Sequence, residues 1–146
     1  MKLILASKSG VRKKILNDNN IECDVVHSNV DEDQAKESFI DMGAEPLIIS
    51  KNLAELKSIK VSLKHPDRIV LGADSVVSHN DKLINKPKSR EEALSILKRL
   101  NNSTHYLISS VCISKNGSMI WNHTDKSKLK MKNLTLKQIK TYLENI

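Results

Sequence analysis

The chain has 146 residues, enough for one domain (1–146) with a packed core and too few for two full ones. Its hydrophobic fraction of 39% includes few aromatics, so leucine and isoleucine must supply most of that core, and no apolar run is long enough to span a bilayer or to act as a signal peptide. The net charge of +7 favours anionic partners, but the lysines are spread along the chain without interleaved aromatics, which argues against a nucleic-acid platform and for a solvated surface.

Leu3 to Ala6 reads as a buried strand that stops at Ser7, Ser9 and Gly10. Val11, Ile15 and Leu16 follow at helical spacing, on a helix that also carries Arg12, Lys13 and Lys14. A strand turning into a helix aims backbone N–H groups and the positive end of the helix dipole at one point. Hydroxyls and a guanidinium at that turn suit phosphate oxygens. Ile21 to Val26 is a second strand, and Asn29 to Asp33 an acidic loop able to cap the next element. A helix is expected from Pro46 to about Leu63, with Ile49, Leu53 and Leu56 as its apolar stripe. The run from Arg68 to Val77 reads as a central strand, followed by a hairpin at Asn80-Asp81.

Ser89 and Glu92 have the spacing of a capping box, opening a helix that buries Ala93, Leu94, Leu97 and Leu100. Tyr106–Ser114 and Met119–Met131 flank Lys115-Asn116-Gly117 and read as a hairpin, with Leu129 and Met131 on a buried face. Thr135 and Gln138 form a second capping box, with Leu136, Ile139, Tyr142 and Leu143 as the apolar positions of a last helix. Strands alternating with helices over the first hundred residues argue for an α/β sheet. Cys23 and Cys112 stand alone, as free thiols in a reducing cytoplasm would.

Asp74 ends an apolar strand, where open α/β sheets gather their ligands. A carboxylate there can bind a metal, act as a base on water, or simply form a turn. Asp31, Glu32 and Asp33 cluster as hard cations require, although a solvated acidic loop is the more frequent explanation of such a cluster. Lys57 and Lys86 could reach a phosphate; taken singly, each reads as a surface lysine. The five histidines lack zinc spacing, and the usual glycine-rich nucleotide loops and the nucleophile elbow are absent.

Taken in order, several segments resemble the Maf family of nucleoside triphosphate pyrophosphatases. They are Leu5-Ala-Ser-Lys-Ser-x-x-Arg12, Val30-Asp-Glu32, Leu53-Ala-x-x-Lys57, Leu71-Gly-Ala-Asp-Ser-Val-Val77, and Lys86-Pro87 leading into Glu91-Glu-Ala93. Thr104-His105, the Trp121 to Met131 strand and Ile139 to Tyr142 extend the likeness along nearly the whole chain. The resemblance implies a cytoplasmic enzyme with a mixed sheet flanked by helices around a central cleft, related in fold to the inosine triphosphatases. It would cut a nucleoside triphosphate to monophosphate and pyrophosphate, using Mg²⁺ or Mn²⁺. By position, Asp74 matches the catalytic carboxylate and, with Glu32, the metal side. Ser7, Ser9 and Arg12 match the phosphate-binding turn, and Lys57 and Lys86 the substrate cleft.

Two departures stand out against the family pattern. Val11 and Ser75 occupy positions that bear on base selection, where the family has Arg or Trp and Thr or Gln, so the preferred nucleotide stays open. The family pattern also continues beyond the Ile139–Tyr142 helix into a further loop, strand and helix that this sequence does not contain. A sheet without them is expected to leave an unpaired edge or exposed apolar surface, as in a fragment, a truncated gene product or a variant that closes its site as a homodimer. The competing reading is an inactive remnant that binds nucleotides or a partner.

Overall fold

A computed structural model describes residues 2–146. Its elements in chain order are β1 (Leu3–Ala6), α1 (Gly10–Asp18), β2 (Cys23–Val25), α2 (Glu32–Asp41), α3 (Pro46–Ser62), β3 (Val70–His79), β4 (Lys82–Ile84), α4 (Arg90–Leu100), β5 (Thr104–Lys115), β6 (Ser118–Lys130) and α5 (Leu136–Glu144). Together the strands make one six-stranded mixed sheet in the order β2-β1-β3-β5-β6, with β4 on β3. β1 pairs in parallel with β2 and β3, while β3, β5 and β6 form an antiparallel meander.

The register creates the site. β1 ends with Ala6 opposite Gly72, but β3 runs on, and its next partner on that edge is β4, beginning at Val77 opposite Ile84. Residues 73–76 of β3 therefore have no strand beside them on that side. The first strand-to-helix turn and Asp74 meet at this gap, beyond the carboxyl end of β1, where an open sheet offers a crevice.

α3 lies across β3 and β5, and it approaches closely because Gly72 has no side chain. A Cβ there would come within 2.8 Å of Ser58 N and 2.9 Å of Ser58 Cβ, and closer still to the Ala54 carbonyl oxygen. The buried face of α3 is mixed rather than purely apolar. Ile49, Leu53, Ala54 and Val61 share it with Ser50, Ser58, Ser62 and Lys57. The serines have partners: Ser50 Oγ donates to the Asp74 carbonyl at 3.2 Å, and Ser58 Oγ meets Ser114 Oγ at 2.7 Å. Ser62 Oγ accepts from Gly117 N at 2.9 Å. Buried hydroxyls with satisfied bonds carry little net penalty, so a polar helix face can seat tightly on the sheet.

The sequence expectations fail where tertiary contacts overrule periodicity. Leu56, expected in the stripe of α3, is 39% exposed, and the neighbouring Lys57 is buried instead. In α4 Ile96 is buried with Leu100, while Ala93, Leu94 and Leu97 are only partly covered. Leu129 is largely exposed because β6 is the outermost strand. Leu136 and Tyr142 also face outward, leaving Ile139 and Leu143 to seat α5. Both cysteines are free as expected, Cys112 buried and Cys23 only partly so. α2 is an additional helix. Asp31 caps it, its side chain accepting from Gln34 N at 3.1 Å, and Glu32 and Asp33 favour its N-terminal dipole. The turns match their residues: Asn80 and Asp81 both adopt positive φ, as do Asn116 and Gly117, the geometry of tight hairpin turns.

Candidate active site

Three walls enclose a cavity of about 570 Å³. Ser7, Lys8, Ser9 and Arg12 come from the turn into α1, and Asp31, Glu32, Asp33 and Lys36 from the start of α2. Lys57, Asp74, Ser75 and Lys86 form its floor and far side. The structure thus brings together every site residue expected from sequence except Val11, which is 69% exposed on α1 and does not line the cavity.

The α1 turn is internally braced. Ser9 is the N-cap of α1 and accepts from Arg12 N at 3.3 Å. Ser7 Oγ accepts from both Ser9 N at 3.1 Å and Arg12 Nη1 at 3.1 Å. In each case the hydroxyl oxygen is the acceptor, leaving its own O–H able to donate to an anion. The first-turn N–H groups of α1 have no intrahelical acceptor, so the turn combines several donors with one guanidinium.

At the floor, the Lys57 ammonium bridges two carboxylates: Glu32 Oε1 lies at 2.5 Å and Asp74 Oδ1 at 3.2 Å. It also donates to the Ala73 carbonyl at 3.1 Å. Lys57 and Asp74 are almost completely buried, whereas Glu32 is partly open to solvent. Burial pushes the Asp74 carboxyl above the ordinary aspartate range, although the Lys57 charge and hydrogen bond pull the other way. Burial also pushes Glu32 upward, but the hydrogen bond and charge of Lys57, with help from Lys36 and Arg12, outweigh it and leave Glu32 below its usual value. Two neighbouring carboxylates are thus driven apart, a pattern typical of acid–base sites.

Asp74 Oδ2 is buried and has no hydrogen-bond partner. An unpartnered carboxylate oxygen in a cavity that a second carboxylate also lines fits a hard divalent cation. No group of three or more His, Cys, Asp or Glu side chains among the described residues could enclose a metal alone. Phosphate oxygens and water would have to complete its coordination, as they commonly do for Mg²⁺.

A family model for Maf-like proteins matches residues 2–146. The chain belongs to the Maf-like family. It is 62% identical over 144 residues to a protein of Pelagibacter ubique named nucleoside triphosphate pyrophosphatase, covering 99% of this chain and 74% of that one. It is 32% identical over 146 residues to a 7-methyl-GTP pyrophosphatase of Brucella abortus, covering 100% of this chain and 73% of that protein. Among solved structures, the fold is similar to a HAM1 protein of Coxiella burnetii, with a TM-score of 0.55 at 10% identity, over 89% of this chain and 72% of the other. A nucleoside-triphosphatase (dITP/XTP pyrophosphatase) of Mycobacterium abscessus is also similar, with a TM-score of 0.52 at 11% identity and the same shares covered. Of the Maf-like motifs, those that carry Ser7 to Arg12, Val30 to Glu32, Lys57, Asp74 and Lys86 line one cavity.

Sequence reasoning missed Lys36, Ser28 and Ser109. Lys36 lines the cavity from a helix that was not anticipated, although its spacing of four from Glu32 would have placed the two on one helix face. Ser109 Oγ meets Ser75 Oγ at 3.0 Å across the β3–β5 pair, a contact that only strand register creates.

Proposed function

We propose that this chain hydrolyses nucleoside triphosphates to nucleoside monophosphate and pyrophosphate, and that Asp74 is its catalytic carboxylate. The observation that carries the reading is the buried Lys57–Asp74 pair, with its unpartnered Asp74 Oδ2, set opposite a phosphate-suited helix turn. The names of the Maf-like relatives support the same reaction. Water attacks the α-phosphorus, its proton passes to the Asp74 carboxylate, and the bond from the α-phosphorus to the bridging oxygen breaks, with pyrophosphate leaving. Arg12, Lys86 and the hydroxyls of Ser7 and Ser9 offset charge on the nonbridging oxygens. Lys57 fixes Asp74 through Oδ1, at 3.2 Å.

Glu32 and Asp74 would hold a divalent cation, Mg²⁺ or Mn²⁺, which supplies charge neutralisation and lowers the pKa of bound water. The raised pKa of Asp74 suits proton acceptance, because a base works best when its pKa approaches the working pH. Ser75, braced by Ser109, lies on the cavity wall and is the better placed of the two expected specificity positions. The same reading puts the protein in the cytoplasm, where nucleoside triphosphates are available.

The deciding experiment is a panel of standard and modified triphosphates, 7-methyl-GTP included, with Mg²⁺ or Mn²⁺ and direct detection of pyrophosphate. Pyrophosphate release from at least one of them is expected. Thermal stabilisation by nucleotide without release from any would instead identify a binding remnant.

A further inference from the structure

Lys36 projects from the second turn of α2 into the wall of the cavity. Four residues after Glu32, it has the spacing of a helical ion pair, with the acid on the favourable N-terminal side. That pair does not form, because Glu32 is engaged by the buried Lys57 at 2.5 Å. No acidic side chain among the described residues pairs with Lys36 in its place. Lys57 is differently placed, its charge being compensated by two carboxylates.

The remaining uncompensated lysines of the cavity, Lys8 and Lys86, are exposed and belong to loops. Lys36 is half-buried, lies on a regular helix and lines the cavity. Its charge is felt by both Glu32 and Asp74. A positive group held that near two carboxylates, yet bonded to neither, is positioned to receive a further anion.

We propose that Lys36 is a substrate-binding residue that grips the phosphate chain from the α2 wall while Arg12 acts from the α1 turn. The inference rests on the pyrophosphatase reading for its choice of ligand, a polyphosphate chain. Lysine acts here as a point charge on a flexible stem rather than as a fork, so arginine can replace it in part. Contacts to a phosphate chain made equally before and during reaction raise affinity without raising the rate of the bound complex. Loss of Lys36 is therefore expected to raise KM about tenfold and leave kcat within about twofold, on the scale of one charge-assisted contact.

The test measures calorimetric binding of inorganic tripolyphosphate and pyrophosphate in the presence of Mg²⁺, on the wild-type chain and on Lys36→Met, Lys36→Arg and Lys64→Met. Lys64 is exposed and does not line the cavity, and its substitution removes the same charge. Weakening of about tenfold in Lys36→Met, recovery in Lys36→Arg and no change in Lys64→Met are expected. Equal weakening in Lys36→Met and Lys64→Met, binding unaltered in Lys36→Met, no recovery in Lys36→Arg, or no binding of either anion by the wild type would each overturn the inference. Binding that depends on Lys36 in a protein that turns over no triphosphate would leave Lys36 as an anion-binding residue and count only against the pyrophosphatase reading.

Discussion

Asp74 sits between two opposing influences, burial that favours its neutral form and Lys57 that favours its charged form, and burial prevails. A base is active only as carboxylate, so the acid limb of the pH–rate profile should follow Asp74 and lie above the ordinary aspartate range. Replacing Lys57 with Met removes the opposing charge and should move that limb to still higher pH; a limb that stays put or moves down would contradict the assignment. The same substitution leaves a buried carboxylate unpaired, and a loss of about 3 kcal/mol is expected in denaturant unfolding. Asp74→Asn should lower kcat by about a hundredfold or more while circular dichroism and melting remain those of a folded protein. Retained turnover would remove Asp74 from the chemistry. The two carboxylates also act on stability in opposite senses. The raised Asp74 contributes stability that is present in acid and lost as pH rises through its folded pKa. The lowered Glu32 contributes stability that is present above the usual glutamate value and lost as pH falls through its folded pKa.

Among the elements, α3 decides whether the site exists, since it carries Lys57 and braces the Asp74 carbonyl through Ser50. Its seating depends on Gly72, where a methyl group would meet helix backbone rather than a yielding side-chain tip. Gly72→Ala should therefore cost about 1–3 kcal/mol, seen as a fall of several degrees in melting temperature. Activity should drop alongside it, because the helix cannot move away without drawing Lys57 from Asp74. An unchanged melting temperature would show that the close approach is not needed. The capping boxes illustrate how much of an element can be read locally. Thr135 and Gln138 form both reciprocal bonds, at 3.2 and 2.8 Å. Ser89 caps α4 as expected, but Glu92 accepts from Lys88 N rather than completing the box. By contrast, α2 was not legible. Its stripe is weak and it buries no residue, so hydrophobic period gave no signal, and its start is marked only by the Asp31 cap.

On the scale of the whole molecule, ligand binding should register as stability, because the cavity draws its walls from α1, α2, α3 and β3 together. A nonhydrolysable triphosphate with Mg²⁺, at about a hundred times its Kd, should add about 2.7 kcal/mol and raise the melting temperature by several degrees. Absence of any shift at saturating ligand would argue against the cavity as the binding place. The sequence by itself determined the α/β class, most strands and helices, both hairpin turns and the Ser89 and Thr135 caps, because each rests on alternation, turn chemistry or an N-cap within a few residues. It also marked Ser7, Ser9, Arg12, Glu32, Lys57, Asp74, Ser75 and Lys86 as separate candidates. Only the tertiary structure decided that they face one cavity. The gap in β3's pairing beyond Ala6, the close seating of α3 on Gly72 and the capture of Glu32 by Lys57 all depend on residues far apart in the chain. The same long-range contacts bury Lys57 in place of Leu56, turn Val11 away from the cavity and leave the Lys36 charge unspent, none of which a local pattern can encode.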